Sequence, residues 1–96
     1  MHVLSKKALR QFWLAHADAK RPLRRWFRIV AKARWASFAD LRATYANADQ
    51  VGRFTVFNLG GNKYRLIVVL HYNRSKVFVR HVLTHREYDL GKWKNG

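Results

Sequence analysis

The sequence predicts an α+β fold: N-terminal helices packed on one face of a small, mainly antiparallel sheet of three or four strands. Three observations carry this expectation. Residues 1–46 space their apolar side chains as helices do, and residues 53–85 change to the alternation of strands. The length, 96 residues, suits a single domain spanning 1–96.

Taken in order, Val3 and Leu4 suit a short first strand. Ser5 follows as a helix N-cap, because its hydroxyl can accept from the free N–H groups of the first turn. Leu9, Phe12, Trp13 and His16 then recur at i, i+3, i+4 and i+7, which makes one apolar face. Asp18 is placed to cap a second helix, with Pro22 in its opening turn, where a missing N–H costs little. Leu23, Trp26, Phe27 and Val30 repeat the spacing, so the two helices should pair as a hairpin. Arg21, Arg24, Arg25 and Arg28 cover the opposite side. A basic amphipathic helix also fits a membrane surface, but two matching apolar faces favour core packing. Ser37 to Tyr45 reads as a third, short helix with Ser37 or Asp40 near its start.

From Arg53 the period becomes two. FTVFNL is a strand, Gly60-Gly61-Asn62 a turn, and KYRLIVVLHY a mostly buried second strand. Asn73 to Lys76 turns the chain into a third strand, VFVRHVL, and the three form an antiparallel meander. THREYD (residues 84–89) starts a short C-terminal helix, and Gly91 to Gly96 is expected to be a loose end.

Twenty Lys and Arg stand against five Asp and Glu, a formal net charge of +15 at pH 7. Eleven of the basic residues lie up to Arg42 and nine from Arg53 onward, so the charge is not a detachable tail. With so few acids nearby, many cations must face solvent, and a field of that sign attracts polyanions. Nucleic acid is therefore the leading partner class. The chain has no cysteine, which removes disulfide scaffolds, thiolate zinc sites and thiol nucleophiles together. A cytoplasmic protein is the natural inference. No apolar run suits a secretory leader or a membrane span.

The candidate chemistry gathers at one end of the sheet. In the middle strand Tyr64, Leu66, Val68 and Leu70 form an apolar face for the helices, and Lys63 and Arg65 open the other face. Asn58 can join them across the turn. His85 emerges at the end of the neighbouring strand, with Tyr88 just beyond. Metal-free RNA cleavage needs such groups. A 2′-hydroxyl must lose a proton, the phosphorane carries extra negative charge, and the 5′-oxygen must gain a proton. An imidazole can move protons near neutral pH. Arg65 can grip phosphate oxygens with two N–H groups, and Lys63 adds a point charge. Tyr88 can orient the nucleophile or stack on an unpaired base. His71 and His81 read as packing or surface residues. A metal site with His85 is not expected, nor a two-metal nuclease with five scattered acids. No cofactor is implied.

Three segments, SKKALRQFW, GNKYRLIVVLHY and VFVRHVLTHREYD, together resemble the HigB-type toxins of bacterial toxin–antitoxin modules, members of the RelE-like superfamily of mRNA endonucleases. The resemblance runs from Met1 to about Asp89 and is most specific at Asn62–Leu66 and Thr84–Asp89. It implies a metal-independent endoribonuclease that cuts mRNA in the ribosomal A site, using the RNA's own 2′-hydroxyl. It also implies contact with ribosomal RNA, a HigA-type helix-turn-helix antitoxin, and operator DNA bound only through the antitoxin complex.

Carried over by position, Arg65 matches the arginine that stabilises the transition state. His85 falls where related toxins place an arginine or a histidine acting as acid or base. Tyr88 resembles the aromatic of the C-terminal segment, at shorter spacing from His85 than in RelE. Lys63 completes the expected catalytic set. Asn58, Asn62, Arg80, Arg74 and Lys76 are the expected RNA contacts. RelE carries lysines on the strand before the turn where this chain has Val56 and Asn58, which leaves the general base open. Strict alternation puts Arg80 on the wrong side for His85 unless a bulge near Val82 turns it. The alternative function is a non-catalytic RNA- or ribosome-binding module using the same basic face. A DNA-binding regulator ranks below both, because no recognition helix is evident.

Overall fold

A computed structural model describes residues 1–95 of the chain. Four helices and five strands alternate as β1 (His2–Leu4), α1 (Lys6–Ala15), α2 (Lys20–Lys32), α3 (Phe38–Thr44), β2 (Asp49–Val51), β3 (Phe54–Leu59), β4 (Tyr64–His71), β5 (Lys76–Thr84) and α4 (His85–Leu90). The sheet order is β1-β5-β4-β3-β2, antiparallel except that β1 runs parallel to β5.

The α+β class stands, and the sheet has five strands rather than three or four. The extra one is β2. Asp-Gln-Val is too short and polar to read as a strand, yet it pairs with β3 through a two-residue turn at Gly52-Arg53. Gly52 takes φ 58°, the left-handed conformation that such a hairpin turn requires.

The helices form where their spacing places them, but two starts differ from expectation. Ser5 precedes α1 at φ 77° and its side chain makes no capping bond. Asp18 caps nothing. It sits in a 3₁₀ turn, Ala17–Ala19, and α2 begins after Ala19. Ser37 does cap α3, its hydroxyl accepting from the Asp40 N–H.

One side of the sheet carries the main core. Leu9, Leu23, Trp26, Val30 and Leu41 from the helices bury against Phe57, Leu66, Val68 and Val77 of the sheet. The alternate strand positions build a second, smaller core on the other side. Phe54, Val56, Ile67 and Trp93 meet there, with Leu83 and Tyr88 packed against them. The segment after Gly91, expected to be loose, is therefore used. Lys92–Asn95 form a 3₁₀ turn and Trp93 is 4% exposed. Gly96, the end of that expected loose segment, lies outside the described residues.

In β5 the pairing slips. Ile67 faces His81 and Val68 faces Val79, so Arg80 is an extra residue in a bulge. The bulge keeps Val77, Val79 and Val82 all on the core side, although unbroken alternation would have turned Val82 away. It falls at Arg80 itself, two residues before the expected place.

Candidate functional site

The site is assembled where β4 and β5 end and α4 begins. Gly60, Gly61 and Asn62 take φ 62°, 63° and 73° in succession, a left-handed run that suits glycine and tolerates asparagine. This turn sends the chain into β4 with Arg65 two residues inside. Arg65 is 8% exposed, and its Nη1 donates to the carbonyls of Asn62 (2.9 Å) and Tyr64 (3.3 Å). Its guanidinium carbon lies 5.4 Å from the centre of the Tyr88 ring. Asn58 is its partner across β3 and Leu83 its partner across β5. Asn58 in turn donates through Nδ2 to the Asn47 carbonyl at 3.1 Å.

His85 follows from the ladder. Thr84 pairs with Tyr64 and caps α4 with a reciprocal box, its hydroxyl accepting from the Glu87 N–H while Glu87 accepts from the Thr84 N–H. His85 is thus the first residue of α4, and its N–H donates to the Lys63 carbonyl at 2.9 Å. Its exposed ring is held through Nδ1 by Asp89, at 2.9 Å, one helical turn on. An Nδ1–carboxylate contact fixes the ring and leaves Nε2 directed away, as a group that passes protons requires.

Tyr88 is half-buried, stacked on Trp93 with ring centres 5.2 Å apart and planes 13° apart, and the Trp93 indole N–H donates to the Tyr88 carbonyl. Burial pushes the Tyr88 phenol above the usual tyrosine value; Asp49 and Asp89 add to the rise and Arg65 opposes it. The ring is therefore a neutral platform beside a cation. Asn58 and Asn62 line a surface cleft of about 430 Å³ together with Arg42, Asn47 and Asp49.

Arg65, His85, Tyr88 and Asn58 thus lie at the end of the sheet where the strand pattern put them, and Asn62 lies in the turn beside them. Lys63 does not join them. Its ammonium turns to the helical side and meets the Asp18 carboxylate at 3.3 Å. The reason is local: Lys63 lies in the turn before β4, so strand alternation does not govern it. Arg80 is exposed on the bulge beside His81, whose imidazole is pushed down by burial and then by the Arg80 charge. Arg74 and Lys76 lie at the far end of the hairpin, where Lys76 pairs with His71. His71 lies six residues along β4 from Arg65, roughly 20 Å away.

Two site neighbours fall outside the sequence expectation. Asp89 was readable, since i and i+4 side chains meet on a helix. Trp93 was not, because nothing local marks a lone tryptophan near a chain end as core. Among the described residues no group of three or more His, Asp or Glu side chains could hold a metal ion, and no helix is long and apolar enough to cross a membrane.

Residues 19–91 match the family of HigB toxins, described as the RelE-like toxic component of a toxin–antitoxin system. The chain belongs to this family. Membership in the HigB toxins implies an antitoxin partner. The mRNA interferase toxin HigB of Escherichia coli strain K12 is 29% identical over 93 residues, covering 94% of this chain and 89% of that protein. The mRNA interferase HigB of Shigella flexneri matches to the same extent. That of Escherichia coli O6:H1 strain CFT073 is 24% identical over 92 residues, covering 93% and 89%. The matched span holds the whole site apart from Trp93.

Proposed function

We propose that this toxin is an endoribonuclease that cuts mRNA in the A site of translating ribosomes, in the cytoplasm, without a metal. The observation that carries the reading is the pairing of a nearly buried guanidinium with an oriented imidazole. Arg65 is fixed by the Asn62 carbonyl, and His85, tied to the adjacent carbonyl of Lys63, is aimed by Asp89.

The reaction assigned to them is transfer within the RNA. The 2′-oxygen loses its proton and bonds to phosphorus, the bond from phosphorus to the 5′-oxygen breaks, and that oxygen takes up a proton. Arg65 faces the charge that builds on the non-bridging oxygens, where preorganised donors are worth most. His85 moves a proton through Nε2. Tyr88 offers a neutral ring for a base to stack on. Asn58, Asn62 and Arg80 contact the RNA strand near the cut, and Arg74 and Lys76 touch RNA at the far end of the hairpin. Lys63 acts through the turn rather than at the phosphate. The exposed arginines of α2 add nonspecific attraction to ribosomal RNA. A HigA-type helix-turn-helix antitoxin neutralises the toxin and carries it to operator DNA, and it is acidic where it meets this cationic surface.

The test is induction of the gene in bacteria with mapping of RNA 5′ ends. The parent protein should yield new ends within translated frames, lost when initiation is blocked and when the adjacent antitoxin gene is expressed. Growth arrest with intact mRNA would instead identify a non-catalytic ribosome-binding module.

A further inference from the structure

Asp18 lies in the 3₁₀ turn joining α1 to α2, on the helical side of the sheet, and both of its oxygens reach across to the start of β4. Oδ1 accepts from the Tyr64 hydroxyl and Oδ2 from the Lys63 ammonium at 3.3 Å. The Tyr64 ring is itself held, edge-on against Phe12 and His16 at 5.3 and 5.7 Å between centres. It also backs the turn, because a Cβ at Gly60 would come within 3.1 Å of its Cδ2. Asp18 therefore grips two consecutive residues at the exit of the left-handed turn.

Those residues are the ones on which the site hangs. The Asn62 carbonyl, just before Lys63, takes the Arg65 Nη1, and the Lys63 carbonyl takes the His85 N–H. Of the three successive residues at positive φ only Asn62 is not glycine, so the backbone cost of the turn falls on it, and costly backbone persists only where its surroundings hold it. Arg65 and His85 belong to different elements and share this turn as a common support. Asp18 is one of five acids in the chain, set among cations with which it could have paired locally. It spends both oxygens on a turn that lies 45 residues away in sequence. An exposed ion pair of this kind adds little stability, so its effect is geometric.

We propose that Asp18 is a positioning residue of the cleavage reaction, fixing the Gly60–Lys63 turn so that the Arg65 guanidinium and the His85 imidazole hold their relative places. This rests on the reading of Arg65 and His85 as the working pair. It links the helical layer to chemistry performed on the opposite face of the sheet.

The experiment compares Asp18→Ala, Asp18→Asn and Tyr64→Phe with the parent chain. Each is assayed for cleavage of a defined mRNA on translating ribosomes and for exchange of the His85 amide hydrogen. Asp18→Ala should lower kcat by about tenfold or more, since small misplacements of catalytic groups carry factors of that size, with KM changed less than about twofold. His85 amide exchange should quicken in the same variant. Asp18→Asn, whose amide oxygen still accepts from Tyr64, should recover most of the rate, and Tyr64→Phe should resemble Asp18→Ala. Parent-like kcat or parent-like His85 exchange in folded Asp18→Ala overturns the proposal. If Asp18→Ala does not fold, the same two readings on Tyr64→Phe decide it. Arg65→Ala and His85→Ala run alongside. Full cleavage in both would remove the catalytic reading itself, while their loss with an intact Asp18→Ala removes only the role of Asp18.

Discussion

Arg65 holds its guanidinium 5.4 Å from the centre of the Tyr88 ring while its Nη1 is bound to the Asn62 carbonyl. Among the charged side chains of the described residues it alone is buried, and a buried cation is positioned rather than merely attracted. Arg65→Lys keeps the charge and loses the planar fork. Single-turnover cleavage should fall about 10²-fold or more, the cost of removing one preorganised donor. Tyr88→Phe should cleave within a few-fold of the parent and Tyr88→Ala should not, because the ring and not the phenol proton is used. Equal losses in the two Tyr88 variants would assign the phenol a chemical part.

His85→Ala should reduce cleavage by about 10² to 10⁴, the range for a positioned acid or base. Asp89→Asn should show a smaller loss, with its ring partner weakened and the capping box of α4 intact. A parent-like rate for Asp89→Asn would mean that the 2.9 Å contact does not orient the imidazole.

Trp93 stacks on Tyr88, packs edge-on to Phe54 and bonds the Tyr88 carbonyl. Trp93→Ala should cost about 3 to 5 kcal/mol in urea unfolding, as large-to-small changes in a core do. A change under about 1 kcal/mol would mean that the second core is not required for stability.

Along α2, Lys20, Arg21, Arg24, Arg25 and Arg28 are exposed, and its first turn holds no acid to oppose the positive helix end. Changing Arg24 and Arg28 to Gln should weaken binding to RNA. The slope of log affinity against log salt should become shallower by about 0.7 for each phosphate that is no longer neutralised. The melting temperature should hold or rise. An unchanged slope would remove α2 from the RNA-binding surface.

The bond to Tyr64, and next the bond to Lys63, hold the Asp18 carboxyl below its ordinary value of 3.8. Its contribution to stability, small for a carboxylate this exposed, is therefore complete above that value and is lost as pH falls through the lower folded value. Tyr64 is the opposite case. Asp18 raises its phenol above 10.0, so that contribution is lost as pH climbs through the raised value. The melting-temperature gap between the parent and Asp18→Asn should close on acidification below about pH 4. A gap that stays constant down to about pH 2 would show that the carboxylate charge adds nothing.

Local rules determined much of this protein. Apolar spacing placed α1 and α2, alternation placed β3, β4 and β5, and the T-H-x-E spacing built the Thr84 cap of α4, because each depends on residues within a turn or a strand pair. The Arg65 and His85 end of the sheet was readable for the same reason: strand register carries each to the same edge. Only the tertiary structure decided where Asp18, Lys63 and Trp93 went. A carboxylate at a helix start reads as a cap until a phenol from β4 arrives beside it. A lysine in a turn has no face to which alternation can assign it. A tryptophan near the end of the chain becomes core only when the sheet has already left an apolar surface uncovered. Such choices are made between segments distant in sequence, after the local elements exist.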